Sequence, residues 1–177
     1  HEADPDDNGP QPAVRQHAGG LGLREYYAVE GLNGFGTTLF LLGVFFHARI
    51  QHGFSDTANL LLAATQGGAY VLATRAGGRL ADRIGTDRCA AIGLAGMSLA
   101  LAIGWLSPWG WGLFLAAALQ SASMGLTWPA LEAAVARAPG TLALARRAGL
   151  YNIVWSFTGT AGFFAGGAIF AFDPDAV

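Results

Sequence analysis

Glu30, Glu132, His47 and His52 are among the titratable side chains at or inside the ends of long apolar stretches in this 177-residue chain. A charge held away from water is expensive, so each needs a partner, a cavity or a way to the surface. Glu30 stands four residues beyond Tyr26, near the start of its stretch, from where it is expected to snorkel to the interface. Glu132 follows Trp128-Pro129, and an ion pair with Arg137 or Arg75 at an inner gate is expected for it. His47 and His52 are five apart, off the four-residue spacing that puts two ligands on one helical face, so no metal site is expected there.

Uncharged polar groups in apolar stretches either bond a neighbouring helix or face a cavity. The candidates are Asn33, Gln66, Gln120, Ser123, Tyr151, Asn152 and Trp155, with Asn33 and Gln120 first because they lie nearest the middle of their stretches. Nothing in the chain resembles a Gly-x-Ser-x-Gly elbow, a His-Glu-x-x-His helix or a phosphate loop ending in Gly-Lys, and Ser98 lacks the following Gly of an intramembrane serine nucleophile. No catalytic residue, cofactor or metal is therefore expected, and the single Cys89 excludes an internal disulfide.

Composition says what must carry these residues. The chain is 53% hydrophobic and 12% charged, about half the charge of a typical soluble domain. That is the balance of an all-α membrane protein, and the abundant Gly and Ala suit close helix contacts in lipid. A net charge of -2 offers no nucleic acid a basic surface. Apolar segments run over about 30–50, 58–78, 89–106, 109–130 and 150–172, each near the roughly 20 residues that span a bilayer. Residues 1–25 are expected to be a disordered cytoplasmic tail, and 173–177 an outer-face end. With the amino terminus inside, nine of the ten arginines fall on the cytoplasmic side and only Arg49 faces out. Trp105, Trp109 and Trp111 gather at one outer turn, as an interfacial belt would.

Between the second and third segments lies Gly78-Arg-Leu-Ala-Asp-Arg-Ile-Gly-Thr-Asp-Arg88, too charged for hydrocarbon and expected as a loop at a membrane face. Its Gly78, Leu80, Asp82, Arg83, Gly85 and Arg88 resemble the loop between the second and third spans of the major facilitator superfamily. The inside start and the longer fourth-to-fifth connection sit where that family has them. The resemblance implies that Asp82 is a conformational latch, accepting hydrogen bonds at a helix amino terminus in the opposite half, with Arg83 or Arg88 beside it. Thr86 and Asp87 depart from the family, which usually has basic residues there. In the fifth segment, Gly159, Gly162, Gly166 and Gly167 resemble a glycine-rich antiporter motif whose Pro is replaced by Phe163, and a helix-packing face is expected of them. Ser121 occupies the place where proton-coupled members carry an Arg.

The resemblance implies a secondary transporter of a small solute, working by alternating access in the plasma (inner) membrane, possessing two six-helix halves around a midplane site. Five segments then make most of an amino-terminal half, whose partners are the bilayer, the solute, a coupling ion and a carboxyl-terminal half absent from this sequence. The alternative is a non-transporting helical module that docks onto a partner membrane protein.

Overall fold

The computed structural model describes residues 21–138 and 141–172, so most of the expected tail and the end at 173–177 lie outside the described residues. Five helices follow in order: α1 Leu23–His52, α2 Asp56–Ile84, α3 Thr86–Leu106, α4 Gly110–Arg137 and α5 Leu144–Phe172, with no strand among the described residues. All five run past their apolar segments at the end that bears the arginines. Main-chain hydrogen bonding carries the helix on where long side chains can reach water.

The breaks are short and each has a local cause. Gly53 adopts φ 64°, a left-handed conformation that costs glycine little, and Phe54 N–H closes on the Ala48 carbonyl at 3.0 Å. Ser55 then caps α2, its hydroxyl accepting from Ala58 N–H at 3.2 Å. Arg49 and Asp56 pair across this turn, but both are exposed and the pair contributes little. Pro108 separates α3 from α4, beside the exposed Trp105, Trp109 and Trp111.

The charged stretch expected as a loop is helical on both sides of one residue. Gly78 to Ile84 complete α2, Thr86 to Arg88 begin α3, and Gly85 alone, at φ 90°, reverses the chain. Only glycine takes that conformation freely. Cys89 is thereby folded back, its thiol donating to the Gly77 carbonyl at 3.9 Å.

α4 packs most extensively, along α3 and α2, while α5 packs along α1, and the two groups meet through fewer contacts. Small residues set the crossings. A Cβ on Gly125 of α4 would lie 3.0 Å from Thr74 N and 3.1 Å from Tyr70 O of α2, and one on Gly162 of α5 would lie 2.8 Å from Phe35 O of α1. Gly159 and Gly166 also face α1, whereas Gly167 faces open space and takes no part in the packing expected of it.

Two apolar cores close the bundle's ends. Tyr26, Cys89, Ala130, Leu131, Val135 and Tyr151 form one at the arginine end, and Val44, Ala48, Leu62, Leu113 and Ala117 form the other. Outside, Leu32, Leu72, Phe157, Phe164 and Phe172 stand exposed, more apolar surface than a water-soluble monomer ordinarily shows. By length and composition α1 and α3 are apolar enough to cross a membrane.

Candidate functional site

Between the two cores lies a polar layer built first from α1. Glu30, Asn33 and Thr37 recur at helical spacing on one face, and all three are buried. Glu30 is 0% exposed, so it does not snorkel to the interface as its position near the start of the apolar segment suggested. The helix begins at Leu23, two turns earlier, and sets Glu30 inside the bundle. Its Oε2 accepts from the Tyr151 hydroxyl of α5 at 2.9 Å and from Asn33 Nδ2 at 3.4 Å. Glu30 Oε1 and Asn33 Oδ1 are buried without a hydrogen-bond partner, and no basic side chain forms an ion pair with Glu30 among the described residues. Buried acceptors left open in this way are the exception in folded proteins.

Beyond Tyr151 a cavity of about 200 Å³ opens between α2, α4 and α5, lined by Tyr70, Trp128, Pro129, Glu132, Tyr151, Asn152 and Trp155. Spacing explains the lining: Trp128 and Glu132 are four apart on α4, and Tyr151 and Trp155 four apart on α5, so each pair shares a face. The rings pack edge to face, Tyr70 against Trp128 at 6.1 Å and Trp128 against Trp155 at 6.2 Å between centroids. Trp128 Nε1 is buried and its N–H is directed at the Glu30 carboxyl, in a looser geometry than the Tyr151 bond. Glu132 is exposed to the cavity and acts electrostatically on Tyr70, Tyr151 and Glu30.

The structure divides the other candidates. Tyr151, Asn152 and Trp155 meet in this chamber. Asn33 and Gln120, ranked first from sequence, instead meet in a groove of about 300 Å³ walled by Leu94, Met97 and Leu101 of α3. Gln66, one turn before Tyr70 on α2, is buried with Nε2 unpartnered. Ser123 turns toward α3, where a Cβ on Gly96 would lie 2.3 Å from its hydroxyl oxygen, and belongs to a helix contact. Glu132 forms no ion pair with Arg75 or Arg137 among the described residues. Arg137 is five residues on and so faces elsewhere, near Tyr26.

At the arginine end, Asp82, Arg83 and Arg88 are exposed. Asp87, the residue that departs from the family pattern, accepts from the Tyr26 hydroxyl at 2.6 Å and so ties the start of α3 to α1. Arg147 is buried at the start of α5, donating to Leu142 O at 2.8 Å and to the Ala136 and Ala138 carbonyls at the end of α4. A guanidinium there satisfies carbonyls that a helix end leaves open.

Glu30, Tyr70 and Trp128 were not anticipated as site residues. The available signal was the pairing of an aromatic with a polar residue at four-residue spacing, Gln66 with Tyr70 and Trp128 with Glu132. No curated protein and no solved structure matches the chain. A family model described as Major Facilitator Superfamily matches residues 28–176. That match begins just ahead of Glu30, takes in every chamber residue and covers most of the sequence, so the chain belongs to the major facilitator superfamily.

Proposed function

We propose that this protein is a secondary active transporter of a small solute, whose path runs past the chamber between α2, α4 and α5. The observation carrying the proposal is the buried Glu30 centre one hydrogen bond behind an open, aromatic chamber. In this proposal the five helices all cross the plasma (inner) membrane with the amino terminus cytoplasmic, as the arginines favour, and form most of a six-helix amino-terminal bundle. A second half of the same transporter faces Glu132, Asn152 and Trp155, and the two rock about the site between them. Glu30, with Asn33 and Tyr151, holds the coupling ion; charged groups buried in a membrane bundle commonly serve ion pathways. Asp82, exposed beside the Gly85 turn, latches the halves in one state.

The test is transport by the complete transporter in proteoliposomes, offered a panel of sugars, organic acids, nucleosides, peptides and ammonium compounds. An imposed proton or sodium gradient is expected to accumulate one class, and Glu30→Gln to abolish accumulation while equilibrium exchange persists. Asp82→Asn is expected to slow turnover several-fold with solute binding unchanged. Failure to move any member of the panel under either gradient would overturn the proposal and favour a non-transporting module.

A further inference from the structure

The chamber's walls have a definite chemistry. Three of its seven lining residues, Tyr70, Trp128 and Trp155, carry aromatic rings packed edge to face in sequence, and Tyr151 supplies a fourth. An aromatic face is the negative end of a quadrupole and attracts a cation that approaches it. The ionisable groups on the same wall are the Glu132 carboxyl and two tyrosine hydroxyls, with no Arg, Lys or His among the lining residues. Behind the wall lies Glu30, a second carboxyl, held by the Tyr151 hydroxyl. The chamber's lining therefore favours positive charge, and an anionic solute would meet the Glu132 carboxylate with no cation to offset it.

Size and polarity narrow the class further. About 200 Å³ on this side of the path accommodates a substituted ammonium group. Rings and Pro129 supply apolar contact for its alkyl arms, and Tyr151 has its hydroxyl committed to Glu30. Asn152 is the one amide in the lining. A sugar would ask for more hydrogen-bond partners than that.

Resting on the transporter proposal above, we propose that the chamber binds the positively charged head of an organic ammonium solute, with the rings of Tyr70, Trp128 and Trp155 around it and the Glu132 carboxylate as its counter-charge. Glu132 and Trp155 contact the solute, and Glu30 stands behind them as the residue that holds the coupling ion.

The experiment is equilibrium dialysis of radiolabelled choline against the complete transporter in lipid nanodiscs, with 3,3-dimethylbutan-1-ol as the neutral competitor of the same shape. Saturable choline binding is expected, weakened at least 10-fold by Glu132→Gln and at least 10-fold by Trp155→Leu, with the neutral alcohol competing at least 100-fold less well. Both substituted residues are exposed, and unchanged thermal melting shows that each variant is folded. The inference is overturned if choline and tetraethylammonium both fail to bind, if the alcohol competes as well as choline, or if neither substitution weakens binding. Proteoliposome uptake separates the two proposals. Uptake of another solute class without ammonium binding removes the cation assignment and leaves transport standing, whereas ammonium binding without movement of any solute removes transport and leaves the site.

Discussion

The two faces of α4 carry similar numbers of polar side chains and use them in opposite ways. On the face toward α3, Thr127 donates to the Ser123 carbonyl at 2.9 Å and so satisfies itself within its own helix. Gly93 and Gly96 of α3 then approach so closely that added Cβ atoms would fall 2.0 Å from Thr127 Oγ1 and 2.3 Å from Ser123 Oγ. On the face toward the chamber, Trp128 and Glu132 line open volume, and the Glu132 carboxyl has no ion-pair partner among the described residues. Polarity on a helix in lipid thus has two meanings. The Thr127 hydroxyl folds onto its own backbone and lets α3 come close, whereas the Glu132 carboxyl stays open to the chamber.

The sharpest way to break this contrast is Gly93→Leu. The new side chain would meet the Ser123 carbonyl oxygen, 2.8 Å from the Cβ position, and a backbone cannot step aside as a side chain can. Overpacking of this kind costs about 1–3 kcal/mol or more, so a large fall in the thermal midpoint is expected. A midpoint close to that of the unchanged protein would show that the α3 face is not tightly packed.

Next comes Arg147→Gln, which acts on the end of α4 that both faces share. It removes a charged donor from the Ala136 and Ala138 carbonyls, and hydrogen bonds to charged groups contribute about 1.5–3 kcal/mol. Amide exchange in the last turn of α4 is expected to quicken, with ring packing in the chamber, read by tryptophan emission, less affected.

Tyr151→Phe sharpens the comparison from the chamber side. It deletes the 2.9 Å bond to Glu30 and leaves the carboxyl to Asn33 and the Trp128 N–H. Loss of about 1–3 kcal/mol is the range for orphaning a buried polar group. Ion coupling, measured as the ratio of ion to solute moved in proteoliposomes, is expected to change more than the melting midpoint does.

The smallest effect on stability belongs to Trp155→Ala. Trp155 is 45% exposed in this bundle and the ring packs on Trp128 alone among described aromatics. A loss of about 0.5–1.5 kcal/mol, the contribution of the ring pair with Trp128, is expected by thermal melting. A shift as large as that of Gly93→Leu would place Trp155 in the packed interior and erase the difference between the faces.

Much of the frame was legible because it depends on local chemistry. Five apolar stretches gave five helices, and Pro108 and Gly85 marked the places where the chain turns. The motif around Asp82 was expected as a loop between the second and third segments but completes α2 and begins α3, since charge count does not say that a stretch stops being helical. The site was less legible because its residues are distant in sequence. Tyr151 reaches Glu30 across 121 positions, and nothing near Glu30 announces that bond. Asn33 and Gln120 looked central because distance from the segment ends was the available measure. Which face of the bundle they turn to depends on how α3 lies against α1 and α4. Asp87, read as a departure from the family pattern, acquired its reason only when Tyr26 came within 2.6 Å.

Gly85 carries a further consequence for how the chain is assembled. With one residue between Ile84 and Thr86, neither α2 nor α3 has slack to settle at its final depth before the other is present. In the transporter proposed above, the pair would enter the bilayer as a single hairpin, with its charged crown left at the surface. Lengthening that joint by a few flexible residues would uncouple the two insertions, and the damage would show first in the yield of correctly oriented protein during synthesis.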